Sequence, residues 1–579
     1  MFTLTALAPA ATLDHRRQQL KTLLDQEWEY TLRTHPEFAT YVGDSRYNDK
    51  LSDYSPEAIE RQLKHAQDAL KRIQSIDTAG FPEQEKINQE LAVRELQQQI
   101  ESIRFKEWEM PVNQMSGIHH WYAALPSQLT FRNVKDYEDY IARLHQMPGA
   151  FDQMIAVMRL GVKDHLVPPR YLLEKVASQA QDLADKAPEA SVFAKPIEKF
   201  ASGISEADQK RLREAVLNAT KTEVAAAFAR FAKFVRIEYA PKGRTEYGVW
   251  ALPNGDAIYR FDVRQMTTTD ITPEEIHRMG LNQVEEIEAE MLKIAQQQGF
   301  TDLNSFNAQI RADRKLYASS GKQLLDLYQH YTDQMYGKLP QLFGHLPQNK
   351  LEVVPMENFR APDEVPADYS PGAPKSGRPG RINVNEYAPE KRLLLNVEAI
   401  AYHEGVPGHH LQFTVAAELP DLPPFRKYAS FTAYTEGWGL YSERLAKDVG
   451  FYDQWYSEYG RLQNEMWRAV RLVVDTGVHY KHWSRDQMLD FFRQHTAMDE
   501  QNIVTEVDRY IAWPAQALAY KLGQMKIIKL RERARQQLGG KFDIRTYHDA
   551  VLAQGPVPLD VLEQRIDEWI ASQKVSAGQ

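Results

Sequence analysis

Long stretches of this chain repeat an apolar residue every three or four positions with charged residues between, and that period constrains the fold more than any other feature. Residues 14–33, 56–75, 83–107, 134–160, 206–236, 272–299 and 321–336 carry it. Each predicts an amphipathic helix with one stripe to bury. The start near 272 is well marked. Thr272 is a preferred N-cap type, Pro273 suits the first helical position, and Glu275 stands where a capping-box partner belongs. Strand signals are few. Two β-rich runs flank Asn254-Gly255 within 246–263 and predict a hairpin. Residues 350–356 and 380–387 predict two more strands, and the Pro- and Gly-rich stretch 361–380 between them predicts a long loop of functional type. The expected fold is mainly α, with a helical region 1–240 and a region 241–579 that adds a small sheet and carries the motifs.

Composition narrows the chemistry. The chain has 579 residues and no cysteine, which removes disulfides, thiol catalysis and Cys-ligated zinc and leaves His, Asp and Glu as metal ligands. A net charge of -9 without a basic stripe speaks against nucleic acid as a partner. No apolar run reaches the roughly 18 residues of a spanning helix. The opening MFTLTALAPAAT lacks a basic segment and does not read as a whole signal peptide, with a trimmed or mis-started export signal as the alternative. The compartment, cytoplasmic or periplasmic, and the oligomeric state stay open.

The stretch AYHEGVPGHHLQF, 401–413, begins like the zinc-protease motif His-Glu-x-x-His, but its next histidines, His409 and His410, come late. In an unbroken helix His403 and His409 point about 120° apart, and His403 and His410 stand about 10.5 Å apart along the axis. Ligand nitrogens must lie about 2.0–2.1 Å from one zinc. Pro407 breaks a helix, and Gly405 and Gly408 permit an unusual path. The insertion is therefore expected to loop out and return a later histidine to the position one turn beyond His403. Glycine directly before the second ligand, as in several glutamate-zinc peptidase families, favours His409. The run HLQF, which resembles the continuation in angiotensin-converting enzyme, favours His410. The expected metal set is His403, His409 and Glu436 around zinc, with His410 facing substrate and Glu443 orienting a ligand. Glu404 is the expected general base. A glutamate ligand on a following helix is the pattern of gluzincin metallopeptidases.

The segments HEGVPGHHLQ, TEGWGLYSE, VVDTGVHYKHWS and RYIAWPAQALAYKLGQ resemble the bacterial family called domain of unknown function 885, and looser matches extend the resemblance over nearly the whole chain. That resemblance implies a gluzincin-type, zincin-like helical peptidase of two lobes around a deep channel, with its small sheet beside the active-site helix. Tyr510 resembles the tyrosine that stabilises the oxyanion in angiotensin-converting enzyme. Lys521 and Tyr520 are expected near a peptide carboxylate. His479, its tautomer fixed by Asp475, is expected at the oxyanion or the peptide backbone. The strand 380–387 is expected as an edge along which substrate lies, with Asn383, Asn385 and Tyr369 as contacts. His119 and His120 have no acidic partner at ligand spacing and read as structural or channel-lining. The expected activity is zinc-dependent hydrolysis of short peptides. The alternatives are a metal-free peptide-binding or chaperone-like protein with a degenerate site, and a metal-dependent amidase acting on a non-peptide bond.

Overall fold

Helices form where the 3.6-residue period runs. The computed structural model describes residues 12–346, 348–356, 361, 365–372, 379–420, 422–498 and 500–575. Leu13–Thr34, Pro56–Gln74, Glu83–Phe105, Val134–Lys163, Pro273–Gln297 and Gly321–Tyr336 are α-helices. The stretch from Glu206 continues through two π-helical turns, Thr220–Val224 and Val235–Tyr239. The capping box at Thr272 is formed: its hydroxyl accepts from the Glu275 N–H, and the Glu275 carboxylate accepts from the Thr272 N–H at 3.0 Å. Residues 1–11 of the opening stretch, and 362–364 and 373–378 of the expected loop, lie outside the described residues.

The chain divides into two units. One comprises Met1–Glu246 with Ala251–Asn254 and Pro423–Phe425; the other comprises Tyr247–Trp250, Gly255–Leu422 and Arg426–Gln579. The first is helical. Its main core gathers Tyr140, Leu144, Phe151, Phe228, Phe231 and Tyr239. His119 and His120 lie in this unit with ring centroids 4.3 Å apart. They bond Gln179 and the carbonyl of Gln114, and burial pushes His119 down to about 3. They are packed, neutral side chains.

In the second unit the helix Trp455–His479 is buried on nearly every face. It lies against Pro273–Gln297, where Gly280 meets Leu472 and Val473. The helices Thr432–Asp448 and Ala519–Leu538 touch backbone to backbone. A Cβ on Gly523 would come within 1.9 Å of the Ala433 carbonyl, and one on Gly437 would strike Gly523. Three strands make the sheet: β1, Leu351–Pro355; β2, Ala367–Ser370; and β3, Gly380–Val384. β3 lies in the middle, parallel to β1 and antiparallel to β2. Ile382 and Val384 face a core with Tyr328, Val397 and Ala401, which sets the sheet on the helix Val397–Glu404.

Three expectations need correction. The hairpin at 246–263 is absent: Val249–Ala251 is a 3-10 turn and Gly255–Thr267 is a helix. Asn254 does take a positive φ of 58°, but Ile258, Tyr259, Asp262 and Val263 are buried at helical spacing, and that period wins over alternation. The strand expected as a substrate edge is central, so both its hydrogen-bonding edges are used. The stretch expected as one long loop contains β2.

The Gly437–Gly523 contact yields a prediction. Gly523→Ala forces apart the helix that carries Glu436 and should lower the unfolding free energy by about 1–3 kcal/mol, read as an earlier denaturant midpoint. An unchanged midpoint would mean that the backbones are not in contact.

Candidate metal centre

The helix Val397–Glu404 carries His403 and stops at Gly405, and a second helix, His409–Glu418, starts at His409. Between them lies a tight excursion that includes a cis Val406–Pro407 bond. The Gly405 N–H donates to Ala401, and the His410 N–H returns to the Gly405 carbonyl at 3.0 Å. The Trp438 indole donates to the Pro407 carbonyl at 2.8 Å and pins the turn. Gly408 sits against the end of the first helix. A Cβ there would lie 1.9 Å from the His403 carbonyl oxygen and 2.4 Å from that of Tyr402. Only glycine permits this approach, and the approach brings His409 back beside His403.

The two rings stand at 87° with centroids 4.7 Å apart. Each Nε2 is 3.6 Å from Oε2 of Glu436, which projects from Thr432–Asp448. One ligand atom from each of His403, His409 and Glu436 lies within 4.8 Å of the others. Ligands about 2.0–2.1 Å from a tetrahedral zinc are about 3.3–3.4 Å apart, so this donor set fits that ion with small adjustment. His403 is held from behind: its Nδ1 donates to Oε1 of buried Glu443 at 2.7 Å, which leaves Nε2 for a metal. Gly439 makes room for the ring, since a Cβ there would approach its atoms to 2.7 Å.

The charges point the same way. Burial alone would lower His403, but Glu436 and Glu443 outweigh it and push the imidazole up to about 10. Burial alone would raise Glu436, yet the two imidazoles hold it well below the usual carboxylate range. A buried carboxylate, Glu443, and a half-buried one, Glu436, around this pair call for positive charge, which a proton or a cation supplies. Glu404 is partly exposed and feels His403, His409 and Glu436; burial raises its carboxyl.

The remaining expected residues divide. His410 is outside the ligand group. Tyr369 donates to its Nδ1 at 3.1 Å, and its Nε2 donates to the Asn349 carbonyl. Burial lowers it to about 4, so it is a neutral buttress between β2 and the second helix. Gly380 allows this packing, because a Cβ there would meet the Tyr369 hydroxyl and the His410 ring. Asn385 is fully buried, donates to the carbonyls of Ala361 and Val365 and accepts from the Tyr387 N–H. Asn383 bonds Asp368 and Ser370 on β2. Both asparagines shape the sheet rather than present a binding edge.

Lys521 is not offered to a peptide carboxylate; it is buried and bonds Glu465 and Gln524, both at 2.8 Å. Tyr510 does not aim its proton at an oxyanion. Its hydroxyl donates to Glu506 at 2.5 Å and accepts from Arg471 and Trp467. His479 accepts from the Val249 N–H and donates to the Tyr510 carbonyl, so backbone groups hold both ring nitrogens. Asp475 bonds the Tyr259 hydroxyl and the Ala515 N–H, and burial pushes it up to about 7 despite them. Tyr520 is half-buried among arginines. Gly439, Trp438, Arg468 and Arg471 escaped the sequence reading. TEGWG hinted at the first two; nothing local marks the arginines.

Residues 36–566 match the family model described as "Bacterial protein of unknown function (DUF885)". Two solved structures are similar. One is of a protein provisionally described as a lipoprotein from Colwellia psychrerythraea, with a TM-score of 0.91 and 28% identity over 96% of this chain and 100% of that one. The other is of a provisionally described lipoprotein of unknown function from Shewanella oneidensis, with a TM-score of 0.73 and 16% identity over 96% of this chain and 99% of that one. The latter likeness is one of fold alone. No curated protein matches the chain.

The geometry predicts a split between neighbours. His409→Ala should abolish stoichiometric zinc binding, His410→Ala should keep it, and Glu443→Gln should weaken it about 10–100-fold. Metal analysis after dialysis reads all three. Loss of zinc in His410→Ala with retention in His409→Ala would reverse the assignment.

Proposed function

The chain belongs to that family of bacterial proteins of unknown function, and we propose that it is a zinc-dependent peptidase acting on short peptides. The observation that carries this reading is the convergence of His403, His409 and Glu436 within 4.8 Å, with a free-standing carboxylate, Glu404, directly after the first ligand. The gluzincin resemblance of the motifs supports the same reading.

His403, His409 and Glu436 would hold the metal, and Glu443 fixes the orientation of His403. Zinc held there would supply Lewis acidity to a carbonyl oxygen and would acidify water. The residues of the chain do the proton work. Glu404, itself partly exposed and within electrostatic reach of His403, His409 and Glu436, takes a proton from the attacking water as its oxygen joins the carbonyl carbon. The C–N bond then breaks, and Glu404 returns the proton to the leaving nitrogen. Neither Tyr510 nor His479 enters these steps, since their polar atoms are bonded elsewhere. The Colwellia relative, provisionally described as a lipoprotein, supports a location in the bacterial envelope.

Glu404→Gln keeps the shape and removes the base. It should reduce hydrolysis of a panel of short peptides by about 10²–10⁴-fold while zinc content stays at one per chain. Unchanged turnover with metal retained would remove Glu404 from the mechanism.

A further inference from the structure

Beside Glu443, which holds His403, begins a group of guanidiniums that the proposed chemistry does not use. Arg468 and Arg471 project from Trp455–His479 and are 7% and 1% exposed. Arg509 approaches them from the helix Glu500–Ala512. Arg468 lies 3.9 Å from Glu443, the carboxylate that holds His403, and it feels the charge of Glu436 as well. Arg471 donates to Tyr510 and to Glu506 at 3.2 Å. Arg509 stands 3.5 Å from Glu506 and donates to Gln516 and the Tyr520 hydroxyl.

The charges do not balance. Glu506 serves both Arg471 and Arg509, and Glu443 is already bonded to His403. Polar hydrogens are left over too. Nε of Arg468, Nη1 of Arg471 and Nε of Arg509 are buried without a hydrogen-bond partner. Buried charges and donors of this kind are normally paired. Aromatic planes hold the forks in place. Arg468 and Arg471 each lie 4.4 Å from the Trp467 ring centroid, and Arg471 lies 4.3 Å from that of Tyr520. Trp467 and Tyr520 are themselves only half-buried, so the aromatic wall reaches solvent. Fixed guanidinium forks with spare donors match a planar carboxylate.

We propose that Arg468 and Arg471, with Arg509 beside them, form a subsite for a carboxylate of the peptide substrate. This rests on the peptidase reading, because a peptide is what brings a carboxylate to this place. Arg468 is one side chain, Glu443, removed from a metal ligand. Extended peptide covers about 3.3–3.6 Å per residue, so the bound carboxylate belongs within a few residues of the scissile bond. The C-terminus and an acidic side chain are the two sources that fit.

Titration calorimetry on the full-length chain carrying Glu404→Gln, with zinc added, reads binding without turnover. A tripeptide with a free C-terminus is compared with its C-terminal amide, with an amide that carries one aspartate, and with sodium chloride. The free acid should bind at least about tenfold more tightly than the plain amide, and Arg468→Gln or Arg471→Gln should erase the difference. Preference for the free acid alone assigns the C-terminus; equal preference for the aspartyl amide assigns the side chain. Equal affinity for acid and plain amide, binding of neither, binding of chloride alone, or a preference that survives both substitutions would overturn the subsite. The wild-type arginine comparison stands even if both variants fail to fold. A chain without zinc or hydrolysis that still prefers the acid would refute the peptidase reading and leave the subsite in place.

Discussion

Everything at the candidate centre depends on one close backbone approach. After Glu404 the chain turns through Gly405 and Pro407 and presses Gly408 against the carbonyl of His403. That contact converts a spacing that no straight helix can use into two perpendicular imidazoles one ring apart. The Trp438 indole holds the turn, and Gly439 on the same helix gives the His403 ring its space. Glu436 and Glu443 come from that helix as well. One short segment, Glu436 to Glu443, therefore supplies the carboxylate of the candidate ligand set, the turn's anchor, the ring's pocket and the carboxylate that holds His403.

Burial sets the terms for the other charged groups. The helix Trp455–His479 is covered on almost every side yet carries Arg461, Glu465, Arg468, Arg471, Asp475 and His479. Charged groups removed from water need partners at bonding distance. Arg461 and Lys521 take Glu465, Arg471 takes Glu506, and Asp475 takes Tyr259 and a backbone N–H. The residues that look reactive in the sequence, Lys521, Tyr510 and His479, are consumed by this pairing. Arg468, Arg471 and Arg509 are where it falls short, and Arg468 lies 3.9 Å from Glu443.

Much of the helical fold was legible because the 3.6-residue period and the Thr272 cap are local signals. That His403 and a later histidine come together was legible in outline for the same reason: Gly, Pro and Gly within HEGVPGHH announce a break. The choice between His409 and His410 needed the third dimension, since it turns on where Gly408 meets the first helix. The hairpin was misread because residues 255–267 satisfy both alternation and helical spacing. β2 hid in a Pro- and Gly-rich stretch because four residues are too few to show a pattern, and without it β3 looked like an edge. The hydrogen-bond partners of Tyr510, Lys521 and Asn385 were not legible, because most of them come from other elements and no spacing rule reaches them.

The most direct test is crystallographic. A crystal of the wild-type chain grown with zinc, measured above and below the zinc absorption edge, should show one strong anomalous peak about 2.0–2.1 Å from Nε2 of His403, Nε2 of His409 and a carboxylate oxygen of Glu436. A peak at His410, or saturating zinc with no peak among these three side chains, would contradict the account.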